Sequence, residues 1–195
     1  MIVLAGFTTL LFTGCSKVPQ AEIDAANASI EQARASGADV YVPEDFMVLQ
    51  DSLSNAMVII ESQKSKLIKN YSEAKEHLAG VTQFAGEVRQ QAEARKEALK
   101  TEIQNTIAEA KKLVESDKQL ILEAPSGKEG TTALMAIKGE IDAVESSLNE
   151  TSAMLETGDL LAALDKANSA REKAASINTE LSEVIAKYKA NTRSR

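Results

Sequence analysis

Residues 53–99, LSNAMVIIESQKSKLIKNYSEAKEHLAGVTQFAGEVRQQAEARKEAL, decide the fold. Leu53, Met57, Ile60, Lys64, Leu67, Tyr71, Ala74, Leu78, Val81, Ala85, Val88, Ala92, Arg95 and Leu99 follow one another at alternating steps of four and three. Such a seam, held over many repeats, is the pattern of a left-handed coiled coil. Lys64 and Arg95 interrupt its apolar character without shifting its phase, because their long stems lie along apolar surface while the charge reaches water. Past Leu99 the seam steps by four to Ile103 and again to Ile107, a stutter that locally unwinds the supercoil. No proline falls between Glu44 and Glu123, so the stretch reads as one continuous helix of about 120 Å at 1.5 Å per residue. Gly80 and Gly86 lie within it, each costing about 1 kcal/mol relative to Ala. Close packing against another backbone is the expected reason for them.

The flanks read as helical hairpins. Ile23, Ala26, Ile30 and Ala33 make one apolar stripe on a helix over about residues 20–36. Gly37 suits a left-handed helix stop. ADVYVPED then turns the chain, with Pro43 at a first helical position and Glu44 and Asp45 where the helix dipole favours acids. After a loop at Pro125 to Gly130, a seam at Leu134, Ile137, Ile141, Val144, Leu148, Thr151 and Leu155 predicts a helix ending at Gly158. Asp159 is placed to cap a last helix over about 160–189, lined by Leu164, Ala167, Ala174, Ile177, Leu181, Val184 and Tyr188. So short a connection favours antiparallel neighbours. The expected fold is all-α: an elongated antiparallel helical bundle or coiled coil with one very long central helix. Its divisions are 20–62, a membrane-proximal hairpin; 63–123, the long coiled-coil helix; and 124–195, a distal hairpin packing on that helix. The two hairpins share a helix, Gly-and-acid turn, helix plan, which any short antiparallel pair would show.

Composition agrees. Aromatic residues make up only 4% of the 195 and there is no Trp, so the chain can bury helix seams but lacks the bulk of a deep globular core. Acidic residues outnumber basic ones 29 to 22. That balance excludes a nucleic-acid partner, which would need basic residues gathered on one face.

Residues 1–14, MIVLAGFTTLLFTG, are uncharged and almost wholly apolar or small. They are too few for the roughly 20 residues that span a bilayer, and match the apolar core of an export signal. Leu11, Phe12, Thr13, Gly14 and Cys15 resemble the lipobox of bacterial lipoproteins, with Phe12 where Leu is commoner in that family. The resemblance implies cleavage between Gly14 and Cys15 and acylation, including palmitate, on Cys15, leaving 15–19 as a lipidated tether. Ser16 in place of Asp implies, by resemblance to enterobacterial sorting, an outer-membrane lipoprotein facing the periplasm. Such a signal starts with Lys or Arg and this one has neither, so the expected start lies upstream of Met1 or the chain is truncated. The other reading of the lone cysteine is a buried thiol in a short core helix.

Within residues 22–62, SGADVYVPEDF and LSNA, with Ala26, Ala33, Gly37, Ala38, Tyr41, Pro43, Leu53 and Ala56, make this stretch similar to an uncharacterised Ala-rich helical-hairpin domain of small Gram-negative envelope lipoproteins. That likeness implies an all-helical envelope protein and carries no active site, metal or cofactor with it.

Chemistry finds little purchase. His77 stands four residues after Glu73, but two ligands do not make a metal site and a solvated face explains them. SGKEGTT departs from a phosphate loop, with Leu122 at the first glycine position and Glu129 where Ser or Thr should follow Lys128. An enzyme has no convergent titratable groups to support it. The tail after Glu183 carries Lys187, Lys189, Arg193 and Arg195 without an acid. Cations suit a helix C-terminus; the sharper reading is a weak contact with an anionic surface such as cell-wall polymer. The two hairpins are too short to cover the middle of the long helix, so Leu67, Tyr71, Leu78, Val81 and Val88 are the expected seam for a protein partner or a second copy. The first functional expectation is therefore a lipid-anchored envelope structural or interaction protein, a rod or spacer. The second is a periplasmic binding module holding a protein client on the distal hairpin.

Overall fold

The computed structural model describes residues 17–124 and 128–193, and over them the chain is all-α. Six helices follow in order: α1 (Gln20–Ala35), α2 (Ala38–Tyr41), α3 (Pro43–Lys64), α4 (Ser72–Glu123), α5 (Lys128–Thr157) and α6 (Leu160–Arg193). The chain divides into two compact units between Ala94 and Arg95, inside α4.

In the first unit, Ile23, Ala26, Ile30 and Ala33 of α1 meet Phe46, Leu49, Ala56 and Ile60 of α3 and the seam of α4 from Tyr71 to Ala92 in one apolar cluster. Alanine at so many contact positions brings the helices close without bulky side chains. Arg34 stacks over the Phe46 ring at 5.3 Å, a cation–π contact. Lys75 Nζ reaches Glu22 at 2.6 Å, tying the start of α4 to α1; that hydrogen bond holds the Glu22 carboxyl below the usual range.

Gly37 closes α1 in the left-handed region at φ +82°, its N–H bonded to Arg34 O at 2.7 Å. A Cβ there would stand 2.9 Å from the Tyr41 ring. Gly158 turns α5 into α6 at φ +85° with open space around it. Gly158→Ala is therefore expected to cost about 1–2 kcal/mol from backbone strain alone, and Gly37→Ala more than that. Denaturant melts of the two variants compare them; equal costs would mean that Tyr41 yields freely.

The helix expected to run unbroken from Glu44 to Glu123 is two helices. α3 ends at Lys64 and α4 begins at Ser72, so the long helix is 52 residues. Asn70 Oδ1 accepts from the Ser72 N–H at 3.0 Å, satisfying a free donor of the new helix, and the Gln63 side-chain amide meets the Asn70 backbone at 3.3 Å across the connection. Lys64, read as a seam position, is exposed, and Gln63 is buried in its place. α4 does run unbroken through Gly80 and Gly86, but no neighbouring atom lies within 4 Å of a Cβ at either. Close backbone packing is not what admits them.

The second unit is an up-down-up bundle. Lys118 of α4 bonds Glu145 of α5 at 2.7 Å, and Lys166 and Lys173 of α6 reach back to Glu150 and Glu140 of α5. Arg171 pairs with Glu109 and Lys189 with Glu123, so α6 runs parallel to the last part of α4. These exposed pairs set register more than stability. The core is Leu99, Ile103 and Val114 of α4, Ile141, Val144 and Leu148 of α5, and Leu160, Ile177 and Leu181 of α6. Val184 and Tyr188, expected to line α6, are 45% and 49% exposed, and Ile185 is buried instead. The step from Leu181 is four to Ile185, and Val184 stands outside the resulting stripe.

Candidate functional site

Four of the five residues expected to form a partner seam are core. Tyr71, Leu78, Val81 and Val88 are at most 3% exposed, packed with α1 and α3 in the first unit. The break at 65–71 returns the chain so that α3 lies along α4 and covers the stripe expected to be bare. Leu67 falls in that connection, fully exposed beside Ile68. Among the described residues of α4, none from 93 to 98 is buried, and Arg95 holds the seam position there. Gly14, Cys15 and the signal core lie outside the described residues.

The first unit has an open concavity between α3 and α4. A groove of about 590 Å³ runs between α3 and α4, lined by Val48, Ser52 and Asn55 on one wall and Glu76, His77, Gly80, Val81 and Phe84 on the other. Each wall repeats at helical spacing, so each presents one ridge. Ser52, Asn55 and the missing Cβ at Gly80 leave it hollow between its larger side chains. Met47, Val48 and Val58, all more than half exposed, add apolar surface along α3.

The groove is framed by acids. α3 carries no Lys or Arg from Pro43 to Gln63. By the 3.6-residue period, Glu44 and Asp51 stand on its groove side, and Glu73, Glu76 and Glu87 stand on that of α4. Lys75 is turned to α1, where it meets Glu22. Among the described residues none of the five acids is in an ion pair; Glu87 accepts only from Gln83, at 3.0 Å. Glu73 and His77 are both exposed on α4, and among the described residues no group of three His, Cys, Asp or Glu is placed to hold a metal.

The second unit holds one buried acid that sequence reading missed. Asp117 is fully buried in the α4 seam, Oδ1 accepting from Asn178 Nδ2 of α6 at 2.8 Å and Oδ2 having no partner. Asn178 also donates to Ser116 Oγ at 2.9 Å. Burial raises the Asp117 pKa and the Asn178 bond opposes that rise. The inner faces of α5 and α6 are filled against α4 by Ile141, Leu148, Ile177 and Leu181.

No helix among the described residues is long and apolar enough to cross a membrane. No protein-family model, curated protein or solved structure matches the chain.

Proposed function

We propose that this chain is a lipid-anchored protein of the bacterial envelope that acts through helix–helix contact, a structural or interaction protein docking on a partner or on a second copy. The anchor rests on Leu11 to Cys15 and on the likeness of residues 22–62 to envelope lipoproteins; Ser16 favours the outer membrane, facing the periplasm. A multiply acylated amino terminus is a stable attachment, since each buried methylene contributes about 0.8 kcal/mol. The observation that carries the interaction half is the acid-framed groove between α3 and α4, a concave surface of helical ridges with no clustered ligating side chains around it. A client-holding role for the α5–α6 hairpin has less support, because its apolar seams are occupied within the second unit.

Metabolic labelling with a palmitate analogue in a Gram-negative host tests the anchor. The wild-type chain is expected to take label and fractionate with membranes, and Cys15→Ser to take none and leave the membrane fraction. An unlabelled wild type would remove the anchor from this reading. A photo-crosslinker at position 48 or 52 in the same envelopes tests the contact, with a discrete adduct expected; none at either position would count against it.

A further inference from the structure

We infer that the groove between α3 and α4 receives the basic end of α6 from a second copy of this chain. The inference rests on the interaction reading and names the occupant. Charge is the first argument. The groove is framed by Glu44, Asp51, Glu73, Glu76 and Glu87 with no Lys or Arg on its walls, while the chain after Glu183 has bases and no acid; Lys187 and Lys189 make exposed pairs with Glu183 and Glu123, which groove carboxylates can replace at little cost. Opposite fields steer encounter and fix register.

Shape is the second. The α3 wall spans Val48 to Asn55 and the α4 wall His77 to Phe84, eight residues each, or about 10 Å of helix. The end of α6 offers Val184 and Tyr188, four apart and about half exposed, with the Lys187 side chain 76% exposed beside them. An amphipathic helix laid in a groove is read through anchors at such spacing. Gly80 leaves room for a ring or branched side chain opposite it, as no atom lies within 4 Å of a Cβ there. Helix formation disfavours that glycine and no contact within the first unit requires it.

The contact is heterologous, since each copy brings one groove and one tail, and such contacts propagate into chains or rings. The area is small, so association in dilute solution is weak. Anchoring on one membrane raises the effective concentration of copies.

Light scattering on the chain from Ser16 onward, which contains every described helix, tests this across a concentration series at low salt and at about 0.5 M, where screening acts within a few ångströms. The mass is expected to rise past the dimer at low salt and to fall to the monomer at high salt. Gly80→Leu puts a side chain into the groove from a position where a Cβ meets no atom within 4 Å, and Lys187→Glu with Arg193→Glu reverses the tail. Each is expected to hold the chain at the monomer while its helical circular dichroism is unchanged. Mixed together the two variants are expected to form a pair that grows no further, because one keeps a working tail and the other a working groove. A monomer at every concentration in low salt, growth insensitive to both variants, or a mixture that stays monomeric would overturn the inference. A monomeric chain whose groove crosslinks in envelopes to a different protein overturns the second copy as occupant and leaves the interaction reading standing; no crosslink at all removes both.

Discussion

Leu78→Ala is expected to lower the stability of the first unit by about 2–5 kcal/mol, the range for removing a fully buried leucine from a packed core. Leu78 is 0% exposed among α1, α3 and α4, and a bundle built largely from alanine contacts has few long side chains that could swing in to fill the space. Leu67→Ala, at a fully exposed position on the connection, is expected to stay within about 0.5 kcal/mol of wild type. Denaturant melts of the soluble chain, followed by circular dichroism, separate the two. The comparison is pointed because the heptad reading places both leucines on one stripe. A seam kept bare for a partner would make both substitutions nearly silent in the isolated chain, whereas a seam closed by α3 makes only Leu78 costly. Similar small effects at both positions would mean that α3 does not lie where the structure puts it.

The difference between those leucines shows what a hydrophobic period can and cannot carry. Tyr71 lies eleven positions after Ile60, a distance that a continuing helix covers in steps of four, three and four. A helix end followed by a return loop delivers the same two residues to the same core, so the phase survives the break and hides it. The contrary signal was Asn70 and Ser72 just before Glu73, a helix start written in side-chain acceptors and acids, and the seam outweighed it. Gly37, Pro43 and Gly158 were readable because a left-handed stop and a first-turn proline are local properties of one residue. The α3–α4 groove was not, because its walls at Ser52, Asn55 and Gly80 are small or polar, and apolar periodicity scores only what fills space. The absence of any base from Pro43 to Gln63 was visible in the sequence, but it gains meaning only when α4 brings Glu73, Glu76 and Glu87 alongside.

The same seam, followed beyond Ile107, leads through Ala110 and Val114 to Asp117 and then Ile121, so the heptad places an acid in the core. Asp117→Leu is expected to stabilise the second unit at neutral pH by about 1–3 kcal/mol, the usual cost of a buried polar group left without a partner. Oδ2 is such a group, and Asn178 keeps its bond to Ser116 when the carboxylate is gone. Protonation fixes the sign of the pH dependence. Burial holds the folded pKa above the unfolded one, so between the two values the folded state binds more protons and stability falls as pH rises. The penalty is absent below about pH 4, near the unfolded value, and complete above the folded one. The advantage of Asp117→Leu over wild type should therefore grow from about pH 4 towards neutrality and then level. Taking the difference between the two proteins at each pH cancels the opposite trend from Glu22 and Glu150, whose pairing with Lys75 and Lys166 lowers their pKa and is lost in acid. Thermal melts over that range measure it. If Asp117→Leu is less stable than wild type at pH 7, the Asn178 bond outweighs burial and the acid holds α6 in register with α4; if the advantage does not change with pH, Asp117 has the same pKa folded and unfolded and burial does not raise it.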